Sequence, residues 1–93
     1  MYGSIRIYAG AGELADALIE NESEVKRIVG EIDGFKSYYL MRTADGAASV
    51  SVFENEAGAE ESNRVAASWI RENLPDLSIS APQVSAGEVV IDF

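Results

Sequence analysis

Two stretches of alternating apolar and polar side chains flank Ala44-Asp45-Gly46 in the middle of the chain, and this arrangement limits the possible folds more than any other feature. Alternation with a period of two marks a strand with one buried face. An Asp-Gly pair favours a type I′ turn, whose two central residues both need positive φ. Phe35 to Thr43 and Ala47 to Glu54 are therefore expected to pair as an antiparallel hairpin, with Ala44 opposite Ala47, Met41 opposite Val50 and Tyr39 opposite Val52. One face of it carries Phe35, Tyr39, Met41, Ala48, Val50 and Val52. The other carries Lys36, Tyr38, Leu40, Arg42, Ser49, Ser51 and Phe53.

Ahead of the hairpin, Tyr2 to Ala9 alternates as a strand, with Ile5 and Ile7 on one face and Ser4, Arg6 and Tyr8 on the other. From Glu13 the spacing becomes helical, and Leu14, Leu18, Val25, Ile28, Val29 and Ile32 form one stripe. Asn21 and Glu22 interrupt that stripe, which allows a kink, and Gly34 is placed to end the helix in a left-handed cap. After the hairpin, Asn55 is the expected N-cap of a second helix with Val65, Ala66, Trp69, Ile70 and Leu74 on its apolar side. Pro75 follows that helix, and Gln83 to Phe93 reads as a last strand.

The order β-α-β-β-α-β defines an α+β, ferredoxin-like fold with a four-stranded antiparallel sheet and two helices on one face. At 93 residues the chain is expected to be one domain, 1–93, with a thin core. The more apolar strand face, with Ile5, Ile7, Phe35, Tyr39, Met41, Val50 and Val52, is expected under the helices. The opposite face would then expose Arg6, Tyr8, Tyr38, Leu40, Arg42 and Phe53, an aromatic patch suited to a second copy of the chain. Arg6 and Arg42 are expected there to pair with acids across a homodimer.

Sixteen acidic against seven basic residues give a net charge of −9, which argues against a nucleic-acid partner. Without cysteine or histidine there is no disulfide, thiol nucleophile, imidazole base or ordinary transition-metal site. Glu54, Glu56, Glu60 and Glu61 read as a solvated helix start rather than a cation site. Met1-Tyr2-Gly3-Ser4 leads straight into a strand, so no signal peptide, no membrane span and a cytoplasmic setting are expected. Gly10-Ala11-Gly12-Glu13-Leu14-Ala15 matches G-x-G-x-x-A, with Asp33 further on. A dinucleotide fold needs a parallel sheet, however, so the glycines are read as a sharp turn.

The element order, the Asp-Gly hairpin, the Gly34-Phe35 strand start and the run Ala66-Ala67-Ser68-Trp69-Ile70-Arg71-Glu72-Asn73-Leu74-Pro75 resemble the dimeric α+β barrel superfamily. Within it, the resemblance is to antibiotic-biosynthesis-monooxygenase-like domains and their bacterial relatives. It implies a homodimer with facing sheets, whose last strand often reaches the partner. Some members oxidise phenolic or quinol-like molecules with O₂ and no cofactor, others degrade haem, and many have no known activity. It also implies that Trp69, on spacing alone a core anchor, borders a ligand cavity. Asn63, about two turns earlier on the same helix, is either a surface amide or near enough in angle to face that cavity, and Tyr39, on the face expected under the helices, either donates to a phenolic ligand or fills the core. Two readings follow. One is a cofactor-free enzyme acting on a small aromatic ligand; the other is a non-enzymatic dimeric module with a filled pocket. The missing histidine removes one expected base from the first.

Overall fold

Tyr2–Ala9 forms strand β1, Gly12–Glu20 helix α1, Glu22–Gly30 helix α2, Phe35–Arg42 strand β2, Gly46–Phe53 strand β3, Glu56–Asn73 helix α3 and Gln83–Glu88 strand β4. The computed structural model describes residues 1–10, 12–77 and 79–93; Ala11, part of the Gly10-Ala11-Gly12 segment expected to form a sharp turn, lies outside them. The strands form one antiparallel sheet in the order β2-β3-β1-β4, with the helices packed on one face. This is the ferredoxin-like α+β fold expected from the element order, with three helices in place of two.

The additional helix arises at Asn21. Its backbone leaves helical geometry (φ −108°, ψ 28°), and its side-chain Nδ2 donates to the Ala17 carbonyl at 2.8 Å. An asparagine that bonds its own preceding turn ends α1 there. The Asn21 carbonyl then accepts from the Val25 N–H at 3.0 Å and starts α2. The stripe survives the break, because Leu14, Leu18, Val25 and Val29 are all buried. Gly34 has the left-handed φ of 81°, but α2 has already ended at Gly30. Gly34 turns the chain into β2 instead, where its carbonyl accepts from the Glu54 N–H at 2.8 Å. Asn55 caps α3 as expected, its Oδ1 accepting from the Gly58 N–H at 3.2 Å.

The hairpin forms in a register two residues away from the expected one. Arg42 lies opposite Ala47, Met41 opposite Ala48 and Tyr39 opposite Val50. The turn is centred on Ala44-Asp45, and Thr43 N–H donates to the Gly46 carbonyl at 3.0 Å. Among the described residues only Gly10 and Gly34 have positive φ, so the turn is not type I′. A shift of two keeps every side chain on its face, so this error is harmless to the packing.

The larger correction concerns which face the helices cover. They cover the one with the polar residues. Across β1, β3 and β2 the rows Tyr2–Phe53–Phe35, Ser4–Ser51–Tyr38, Arg6–Ser49–Leu40 and Tyr8–Ala47–Arg42 all lie on the helix side. Arg6, Tyr8 and Phe53 are buried, Tyr38 and Leu40 pack against the core, and Arg42 reaches Asp16 of α1 at 2.8 Å. None of these six expected dimer-face residues is on the open face. Ile5, Ile7, Tyr39 and Met41, expected under the helices, are instead 42–63% exposed on the bare side. Phe35 reaches the core because a bulge between Phe35 and Ser37 shifts its phase; its ring meets Phe53 edge-on at 6.0 Å.

The last strand is shorter than expected. β4 stops at Glu88, Val89 N–H donates to the Met1 carbonyl at 2.9 Å, and Val90, Ile91 and Phe93 are largely exposed.

Gly58 marks a close contact between α3 and the sheet, since a Cβ there would meet the Phe53 side chain at 2.8 Å. Overpacking costs about 1–3 kcal/mol, more than the roughly 1 kcal/mol of helix propensity that alanine returns. Gly58→Ala is therefore expected to lower the urea midpoint, whereas Gly30→Ala, with open space around it, should hold or raise it. Equal midpoints for the two variants would show that Phe53 yields freely.

Candidate functional site

The centre of the covered face is polar. Arg6 projects from β1 beneath the helices and is 4% exposed. Its Nη1 donates to Asn63 Oδ1 at 2.8 Å and to the Ser62 carbonyl at 3.3 Å, both on α3. Asn63 Oδ1 also accepts from Ser4 Oγ at 2.9 Å. Beside them Ser62 Oγ donates to the Ala59 carbonyl at 2.7 Å and lies 3.4 Å from Ser51 Oγ. Helix and sheet are thus joined by a hydrogen-bonded seam. Small residues at Ala59 and Ser62 allow α3 to lie close enough to form it.

One helical turn beyond the seam, the two layers part around a cavity. Its floor is Arg6, Tyr8, Tyr38, Leu40 and Ser49; Leu18, Val25, Ile28, Val29, Ala66, Trp69 and Ile70 from the three helices form its roof. The enclosed space is about 30 Å³, enough for water and too small for an aromatic ring in this conformation. Two polar atoms at the floor, Arg6 Nε and Ser49 Oγ, are buried without a hydrogen-bond partner. Buried polar groups are rarely left so. A larger hollow of about 620 Å³ between the end of α2 and the start of α3 is an open groove with Glu31, Asp33 and Glu61 on its rim, and it has no such unpaired atom.

Burial pushes the Tyr38 hydroxyl above the usual phenol range. The positive charge of Arg6 draws it back in part, Tyr8 opposes that, and the nearby polar side chains of Ser49 and Arg6 lower it again. Trp69 is 6% exposed and its ring borders the cavity. Its Nε1 has no hydrogen-bond partner, though it lies near enough to Glu24 to help hold that carboxyl below its usual range, an effect led by Arg27.

The three residues expected around a pocket are therefore separated. Trp69 lines the cavity. Asn63 belongs to the seam behind it, holding Arg6 in place. Tyr39 lies on the opposite side of the sheet, 63% exposed. The residues that sequence reasoning missed are Arg6, Tyr38 and Ser49. Their signal was an arginine flanked by Ile5 and Ile7 and opposite Ser49, on a face that the sequence pattern assigned to a dimer partner. Among the described residues no three acidic side chains are grouped to hold a metal ion, and no helix is long and apolar enough to cross a membrane.

The unfolded Tyr38 titrates near about 10 and the folded one higher. Its contribution is present in full below the unfolded value and is lost as pH rises through the folded one. Tyr38→Phe should therefore flatten the alkaline fall in stability, measured by urea unfolding across that range. Tyr2→Phe serves as a comparison, because Tyr2 is raised by Glu56 instead. An unchanged slope in Tyr38→Phe would mean that its hydroxyl is solvated.

No protein-family model matches this chain, and comparison with curated proteins yields no match. Comparison with solved structures does. A protein of unknown function from Nitrosomonas europaea superposes with a TM-score of 0.69 at 18% identity, over 99% of this chain and 90% of its own. The haem degrader MhuD of Mycobacterium tuberculosis, with two haems bound in its active site, gives a TM-score of 0.70 at 15% identity, over 100% and 99%. A monooxygenase from ActVA-Orf6 of Streptomyces coelicolor, in complex with nanaomycin D, gives 0.61 at 17%, over 98% and 91%. Identities this low establish architecture alone. The chain has the fold of the antibiotic-biosynthesis-monooxygenase-like proteins.

Proposed function

We propose that this chain forms a homodimeric α+β barrel in the cytoplasm and binds a small phenolic or quinone-like ligand between its sheet and helices. The observation that carries the ligand reading is the cavity: apolar walls, the Trp69 ring on one side, and unpaired polar atoms at the floor. Such a combination is the usual make-up of a small-molecule site. MhuD and the Streptomyces monooxygenase, which share the fold, hold haem and nanaomycin D. Admitting a ring requires the roof to rise. Asn21, where α1 gives way to α2, is the natural hinge. Oxidation without a cofactor is the finer form of this reading, and in it Arg6, Tyr38 and Ser49 would steady an oxyanion on the ligand.

The small enclosed volume favours a second reading, a binding or structural module whose pocket stays shut. Titration of Trp69 fluorescence with phenols, naphthoquinones and haem separates the two. Saturable quenching at micromolar ligand is expected, and oxygen consumption is then assayed with whichever compounds bind. A flat response across the panel would leave the closed module.

The dimer rests on the open face. Ile5 and Tyr39 both lie opposite Val50, and Ile7 and Met41 both lie opposite Ala48, so two apolar rows cross three strands. Burying each large side chain is worth about 1.5–3 kcal/mol, and bare apolar patches of this kind mark interaction sites. The exposed Val90, Ile91 and Phe93 lie beyond the sheet, where a partner could take them up. Light scattering should give a dimer at micromolar concentration and a monomer for Ile7→Glu. A monomeric native protein would overturn this part of the proposal.

A further inference from the structure

We infer that α2 is a lid over the cavity that moves separately from α1, and that a ligand passes between α2 and α3, at Ile28 and Trp69; the second part rests on the pocket reading above. The other two helices are tied to the sheet by polar contacts. On α1, Asp16 meets Arg42 of β2 at 2.8 Å, and Leu14 and Ala15 are buried beside it. Helix α3 is held by the Arg6 seam. The ion pairs of α2 stay on the helix itself and the residue after it. Lys26 meets Glu22 at 2.8 Å, and Arg27 meets Glu24 at 2.7 Å and Glu31 at 3.8 Å. Among the described residues, no side chain of α2 forms a hydrogen bond or ion pair with another element. Its buried residues are Val25 and Val29 alone.

Both ends of α2 can pivot. Asn21 leaves the helical path at one end, and the turn that closes on Gly34, with its φ of 81°, lies at the other. Pairs internal to a helix survive its displacement as a unit, so raising α2 breaks apolar contacts and no ion pair. The closed arrangement also carries a cost. Among the described residues, the buried side-chain atoms without a hydrogen-bond partner are Arg6 Nε, Ser49 Oγ and Trp69 Nε1, and all three residues line the cavity. Water reaching them as the lid lifts relieves that cost. The place of opening follows from Ile28. It lines the cavity and also two open grooves beside it, of about 620 and 380 Å³. Trp69 lines the cavity and the smaller groove. These two side chains thus stand between the enclosed space and the outside. Ile70 lines the cavity but neither groove.

Hydrogen exchange of the native protein tests the lid without any ligand. Amides of α2 are expected to exchange about tenfold faster than the central amides of α1 and α3, as a sub-global opening requires. Exchange of α1 and α2 at one common rate would overturn the separate lid. The passage is tested through Trp69 fluorescence, by acrylamide quenching and by the rate at which naphthoquinone quenches it. Ile28→Ala should raise both severalfold. Ile70→Ala removes the same atoms from the roof without opening either groove, and should leave acrylamide quenching near its native value. Urea midpoints check that both variants are folded. Equal effects of the two substitutions would overturn the passage at Ile28. A protein whose α2 opens while naphthoquinone fails to bind would defeat the pocket reading, and the passage with it, while the lid motion stood.

Discussion

The hydrogen bonds from Arg6 to α3 are the interaction on which the other features depend. A guanidinium at the centre of a small core is tolerable only where its donors find fixed acceptors. Asn63 Oδ1 and the Ser62 carbonyl supply two of them, and Ser4 secures the same amide oxygen from the neighbouring position of β1. Rotation of α3 about its axis would withdraw both acceptors together, so the seam fixes the helix's orientation more sharply than its apolar contacts could. Trp69 follows Asn63 by six residues on α3, and its position over the sheet is set by the same constraint. The cavity lies between those two points.

Much of the scaffold was legible in the sequence because local chemistry decides it. The strand alternation, the Asn55 cap and the break near Asn21 each follow from a few adjacent residues. The turn was misplaced because Asp45-Gly46 states a preference that the pairing of β3 with β1 overrides. Gly46 is held in extended register opposite Ala9, which removes it from the turn. The faces were exchanged for a different reason. Hydrophobicity identifies which side of a strand avoids water but not what covers it. Ile5, Ile7, Val50 and Val52 form the more apolar side, whereas the helices lie on Ser4, Arg6, Ser49 and Ser51. That choice is dictated by α3, whose Ser62 and Asn63 answer the polar row. Reading the two elements against each other, rather than singly, would have placed them together.

The candidate site was correspondingly harder to read. Spacing alone placed Trp69 on the inward side of its helix, and the family resemblance placed it beside a cavity. Tyr39 and Tyr38 are adjacent, and their roles turned on a single parity choice for the sheet. Once the face is corrected, Tyr38 takes the place given to Tyr39, and Arg6 becomes part of the floor instead of the exterior.

The same alternation ties the two proposed activities of the sheet to one another. Along β1, Arg6 and Tyr8 face the cavity while Ile5 and Ile7 face away, so a single peptide unit separates each pocket residue from a residue of the bare surface. A chain of this size gives up apolar burial when its core contains a charge, several serines and a void. Folding on one face alone buries only about 60–65% of the surface of so short a chain. Covering Ile5, Ile7, Tyr39 and Met41 with a second copy would restore what the polar interior forgoes and would stiffen the strands that carry Arg6 and Ser49. A polar cavity and an apolar exterior on one thin sheet are then two sides of one requirement. On the proposed reading, association outside the sheet would supply the stability that an interior given to a ligand forgoes.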